Sequence, residues 1–74
     1  MGKKQQDKLG LTLFREYNTS AVRKMYVGPR KDLDKQEGYA WYSRNLGRWC
    51  FIALKQDFSI DNIVLVDAKH IRNL

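Results

Sequence analysis

Residues 38–44, GYAWYSR, and residues 48–54, RWCFIAL, decide how this chain of 74 residues folds. Between them stands Asn45-Leu46-Gly47, a three-residue connection whose last position suits a type I turn followed by a left-handed glycine and a bulge. The two runs are therefore expected to pair as a β-hairpin. A hairpin lying half in water alternates apolar with polar side chains, yet six apolar residues follow one another from Trp49 to Leu54. Both faces read as buried.

With Arg44 and Arg48 flanking the loop, the strand period sets Ala40, Tyr42 and Arg44 opposite Ile52, Cys50 and Arg48. The other face then carries Tyr39, Trp41 and Ser43 opposite Ala53, Phe51 and Trp49. A bulge on the Arg48 side would shift this register by one. A sheet curled over one core buries only one such face, so the other needs a cover. Three readings supply one: the N-terminal arm or the loop over residues 28–38 lies on it, a second subunit does, or it is a platform on which bases stack.

Upstream, Val22, Lys24 and Tyr26 alternate with Arg23, Met25 and Val27 before Gly28-Pro29, which predicts a strand over residues 21–27. The next stretch, RKDLDKQEG, has only Leu33 as a core candidate and reads as a long exposed loop or one helical turn closed by Gly38. Leu9, Leu11 and Leu13 alternate as a strand does, whereas Leu13, Phe14 and Tyr17 would line a helix that Thr12 caps and Asn18 ends. The balance goes to a strand. Residues 1–8, with Lys3, Lys4 and Lys8 around two glutamines, have no apolar period and are expected to form a disordered basic arm. Downstream, residues 62–66 read as a short buried strand, and Asp67 as the cap of a final turn from which Ile71 and Leu74 pack back.

The expected fold is mainly β: a small twisted antiparallel sheet or barrel of four to five strands with one or two short helical turns, in one domain over residues 9–74. An early strand, a long loop, a tight hairpin, a short strand and a final turn follow in an order that resembles the SH3-like barrel in outline. A chain this short removes only about 60% of the surface its unfolded form exposes. The lone Cys50 pairs with nothing inside the chain, which favours a reducing setting. No apolar segment near Met1 reads as a signal peptide, no run is long enough to cross a bilayer, and Gln6 breaks the myristoylation pattern that Gly2 begins. A cytoplasmic protein without a membrane partner is expected.

Charge points to partners. The net charge is +6, and residues 1–31 account for all of it, with eight Lys or Arg against Asp7 and Glu16. Such an excess attracts phosphate backbones and acidic proteins alike. Lys24, Arg30, Lys31, Arg44 and Arg48 interleave with Tyr39, Trp41 and Trp49 in the manner of a nucleic-acid groove, the cations meeting phosphates and the rings stacking on bases of DNA or RNA. The alternative is a non-catalytic interaction module, a small adaptor or inhibitor, that turns the aromatic hairpin face toward a protein partner or a second copy.

Catalytic chemistry finds little to work with. One Cys and one His, Cys50 and His70, cannot assemble a zinc quartet, and a cysteine in an apolar strand is expected to be inert. Asp32, Asp34, Asp61 and Asp67 stand in turn contexts where aspartate ordinarily receives backbone amides. The five glycines are spread about ten residues apart and form no phosphate loop. The expectation is a protein that is not an enzyme and uses no cofactor, metal or small-molecule substrate.

Overall fold

The computed structural model describes residues 2–74, with side chains from Lys8 onward. A helix, α1 (Gly2–Ser20), leads into β1 (Val22–Tyr26), β2 (Gln36–Ser43), β3 (Arg48–Ala53), β4 (Val64–Val66) and β5 (Ile71–Asn73). The strands form one antiparallel sheet in the order β4-β3-β2-β1-β5, open between its two outer strands. A 3-10 turn, Ala68–His70, brings β5 back beside β1. This is the mainly β fold the sequence predicts, as an open curled sheet in place of a closed barrel.

The leucine alternation near the N-terminus misled. Residues 9–17 are helical, and the pattern that counts is the helical one: Leu13 is buried and Tyr17 packs on the sheet, while Leu11 is 67% exposed. Asn18 does not end the helix, and the Thr12 hydroxyl caps nothing, donating instead to the Lys8 carbonyl one turn back. The helix bounds take in most of the stretch expected as a basic arm, residues 1–8, whose side chains as far as Asp7 lie outside the described residues.

The hairpin register is shifted by one from its simplest form. Tyr42 pairs with Trp49 and Ser43 with Arg48, because the loop closes over residues 44–47 with the Gly47 amide donating to the Ser43 carbonyl. Gly47 takes the left-handed conformation at φ 64°, as expected. Ala40, Phe51 and Ala53 therefore share the inner face with Tyr26, Leu33 and Val66, while Trp41, Cys50 and Ile52 share the outer face with Tyr17, Phe58 and Ile63. The paired β3 strand approaches Gly38 so closely that a Cβ there would collide with the Ile52 carbonyl oxygen and the Phe51 ring.

Both faces of the hairpin are thus covered from within the chain. The inner face closes on the curl of its own sheet and on Leu33 from the loop before β2. The outer face closes beneath α1, where the Tyr17 ring meets Trp41, Tyr39 and Phe58 at centroid distances of 5.4, 5.9 and 5.2 Å. Each such pair adds about 0.5–1.5 kcal/mol beyond the area it buries.

Smaller details also differ from expectation. The left-handed residue before β2 is Lys35, not Gly38, and β2 starts at Gln36. Asp67 makes no side-chain cap on the last turn, and Leu74 is 60% exposed, although Ile71 does pack on the core. No helix among the described residues is long and apolar enough to cross a membrane.

Candidate nucleic-acid interface

Helical spacing places Thr12, Arg15 and Glu16, and Thr19 along one stripe of α1, and that stripe faces the tip of the β2–β3 hairpin. Between them runs a groove of about 410 Å³, closed on the hairpin side by Tyr42, Arg44 and Asn45. Its floor is the Glu16 carboxylate. One oxygen, Oε1, accepts the Ser43 hydroxyl at 2.7 Å; the other accepts the Arg44 amide and the Asn45 side-chain amide, both at 3.0 Å, and the Asn45 backbone amide at 3.4 Å. Ser43, fully buried, passes the order on by accepting the Leu46 amide.

This arrangement fixes the loop as a helix-to-hairpin clamp. Burial opposes ionisation of Glu16, but the hydrogen bonds from Ser43, Asn45 and Arg44 outweigh it and hold the carboxyl below its ordinary range. The loop amides that would otherwise offer themselves to an outside anion are already taken by Glu16. What the groove offers to an anion is its guanidinium groups.

Arg15 and Arg44 line the groove, and Arg48 lies across the strand pair from Ser43; all three are exposed, and none makes an ion pair with a carboxylate among the described residues. The one carboxylate of the groove is thus occupied by hydroxyl and amide donors and leaves these guanidinium groups unpaired among the described residues. Tyr42, 49% exposed, alternates with Trp41 and Ser43 and so turns its ring to the other face of the hairpin from α1, against Trp49, with ring centroids 6.0 Å apart and planes at 71°.

The other residues expected at an interface are dispersed. Trp41 is only 1% exposed beneath α1, so its ring belongs to the core and offers no face to a base. Tyr39 is half-buried with its ring against Tyr17, and Trp49 is half-buried behind Tyr42 as its support. The Lys24 ammonium donates to the Asn73 side chain across the β1–β5 pair. Arg30 is tied to Asp32 at 2.6 Å, and its hydrogen bonds hold the Asp32 carboxyl below the usual range; Lys31 is exposed on the same loop, away from the groove.

Tyr42 and Arg15 are the residues that sequence reasoning missed. The simplest pairing set Tyr42 opposite Cys50 in place of Trp49, and reading residues 9–17 as a strand hid the stripe that carries Arg15. A loop closed at Ser43 and Gly47 and a helical reading of Leu13, Phe14 and Tyr17 would have found both.

Elsewhere the described surface is plain. No group of three or more His, Cys, Asp or Glu side chains that could hold a metal ion occurs among the described residues. No protein-family model matches the chain, and comparison with curated proteins and with solved structures found no match.

Proposed function

We propose that this chain is a small nucleic-acid-binding protein that acts without catalysis, through backbone charge and aromatic stacking, with little sequence specificity. The observation that carries this reading is the groove between α1 and the hairpin tip, lined by the exposed Arg15 and Arg44, with Arg48 beside it and the half-exposed Tyr42 ring on the other face of the same hairpin end. Guanidinium groups suit phosphate oxygens because their donors are paired in one plane. An exposed ring at the same hairpin end gives the base its share of the contact. Tyr39 and Trp41 belong to the packing beneath α1 on which the groove is built, and Trp49 packs against the inner core beside Tyr42.

Binding of this kind must weaken with salt. Each phosphate neutralised on a single strand contributes about −0.7 to the slope of log affinity against log salt, so three arginine contacts give a slope near −2. Fluorescence anisotropy of a labelled oligonucleotide across a salt series measures it. A flat dependence, or no binding at low salt, ends the proposal.

One observation favours a protein partner as a second reading. Leu9, Leu46, Ile60 and Leu65, each between 36% and 41% exposed, surround a narrow apolar groove on the α1 side of β4. Exposed apolar side chains gathered in one place are characteristic of protein contact. The elution mass of the purified chain by light scattering separates self-association through this surface from a monomer.

A further inference from the structure

We propose, resting on the protein-partner reading above, that β4 takes up an extended segment of an acidic protein as a further strand, with one aliphatic side chain of that segment seated in the groove beside Leu65. The sheet is open, so β4 and β5 each have one neighbouring strand and one bare side. The two sides differ. At β5 the Val27 amide donates to the His70 carbonyl at 2.8 Å, which by alternation turns the backbone groups of Arg72 toward β1 and those of Ile71 outward. The chain closes that edge itself: the Ile71 amide donates to the Ala68 carbonyl, and the Ile71 carbonyl accepts the Arg72 guanidinium at 3.3 Å.

Nothing among the described residues closes β4 in this way. The Leu54 amide donates to the Glu37 carbonyl at 2.9 Å, one step beyond the Gly38–Ala53 pair, so every second residue of β2 from Glu37 to Ser43 bonds to β3. Trp49 and Phe51 therefore turn their backbone groups to β4, where they meet Val66 and Val64. The Leu65 amide and carbonyl are left pointing away from the sheet. Ile63 and Asp67 on either side are also extended, at φ −76°, ψ 127° and φ −89°, ψ 144°. The edge thus presents the Ile63 carbonyl, both backbone groups of Leu65 and the Asp67 amide, none with a hydrogen-bond partner among the described residues. Residues 63–66 carry no charge, proline or glycine to fend off another strand.

Side chains say what such a strand must carry. Leu65 pairs with Cys50 and so faces α1, where it borders the groove with Leu9, Leu13, Leu46, Ile60 and Ile63. A residue added opposite Leu65 sends its side chain to that same face. At about 180 Å³ the groove is smaller than the roughly 300–1,000 Å³ of small-ligand sites and suits one aliphatic side chain. Backbone bonds along an edge, with a pocket for alternate side chains, are how a domain adds a peptide as a strand. Charge then selects the occupant. The net charge of +6 repels a second copy and draws in an acidic partner. A stable dimer also engages about 20–30 residues a side, and this edge with its groove supplies fewer than half of that.

The test selects a displayed library of random peptides, each of about nine residues, against the immobilised full chain and measures the best peptide by fluorescence anisotropy. The expected selection is for peptides of net negative charge in which aliphatic residues recur at every second position. N-methylating the best peptide one residue at a time should weaken binding about tenfold at alternate positions only, because every second amide of an added strand faces β4. Leu65→Pro removes the outward amide, leaves the β3–β4 ladder its bonds, and should cost a similar factor; a thermal melt reports its folding. The N-methyl series uses the parent chain and stands whether or not that variant folds. In amide exchange by NMR, the Leu65 amide of the dilute free chain should exchange fast and become protected when the peptide binds. Binding that shows no alternation and survives Leu65→Pro, but is lost in Leu46→Asp, overturns strand addition and leaves a protein contact at the groove. Protection of the Leu65 amide that grows with the concentration of the chain itself makes a second copy the occupant and overturns this inference. A selection that enriches no peptide overturns the protein-partner reading as well.

Discussion

Phe51 and Trp41 lie on opposite faces of the same pair of strands, both essentially without solvent contact, yet what covers them is built differently. Phe51 is enclosed by other strands of its own sheet, by Tyr26 and Val66 and by Leu33 from a loop tied to β1 by the Lys35 amide, which donates to the Tyr26 carbonyl. Trp41 is enclosed by α1, which shares no ladder with the sheet and holds to it by side chains: Leu13 and Tyr17 in the core and the Glu16 clamp at the hairpin tip. A cover made of ladder bonds opens only when strands part. A cover made of side chains can lift while the strands remain, and the candidate groove lies along the seam of that second cover.

The largest effects come from emptying either face. Phe51→Ala and Trp41→Ala should each cost about 3–5 kcal/mol, a large part of the stability available to so short a chain. Their patterns should differ under native-state amide exchange. Phe51→Ala is expected to lower protection throughout β1, β2 and β3 together, whereas Trp41→Ala should release the amides of α1 first and leave the central ladder the better protected. Equal loss of protection in helix and sheet for both variants would break the comparison and make the two covers one cooperative unit.

A middle-sized effect sits at Glu16. Glu16→Gln keeps the shape of the clamp but removes the charge from four hydrogen bonds, and should cost about 1–3 kcal/mol, read from urea unfolding midpoints. The pH dependence follows from the direction of the shift. Because the folded-state pKa of Glu16 lies below its ordinary 4.5, its contribution is fully present above that value and is lost as the pH falls through the lowered one. The parent should therefore lose stability on acidification from about pH 5 downward by more than the variant does. Identical acid limbs would mean that the clamp fixes geometry without stabilising the helix on the sheet.

How much of this was legible in the sequence follows the same division. The hairpin, the strand around residues 22–26 and the left-handed Gly47 were readable because their causes are local: β-branched and aromatic runs, and a glycine where the turn needs positive φ. The inner core was readable in kind for the same reason. The cover over Trp41 was not, because Leu9, Leu11 and Leu13 carry a strand period by accident of an exposed Leu11, while the helix is held by partners far along the chain. The four-residue loop is stabilised by a carboxylate twenty-seven positions or more upstream of its donors, a distance that turn rules do not span. Of the residues expected at an interface, Arg44 and Arg48 lie in or beside the groove and Trp49 packs on the inner core, while Trp41 and Tyr39 went under the helix, because the strand period gave the faces and the unseen helix decided which of them was outside.

The smallest perturbation needs no mutation, because Cys50 lies directly under the helical cover beside Trp41 and Ile52. Burial pushes its thiol up to about 11, with the Glu16 charge adding to the rise. At pH 8 only about one molecule in a thousand would carry the thiolate even if reagent could reach it, so a disulfide-exchange reagent should modify the native chain very slowly. The informative quantity is how that rate responds to urea. If α1 lifts on its own, Cys50 becomes reactive after exposing only the helix-covered face, and the logarithm of the rate should rise with urea less steeply than the equilibrium unfolding free energy falls. A slope equal to the equilibrium one would mean that Cys50 is reached only when the ladder itself parts, and the seam along which the groove lies would then be as rigid as the strands.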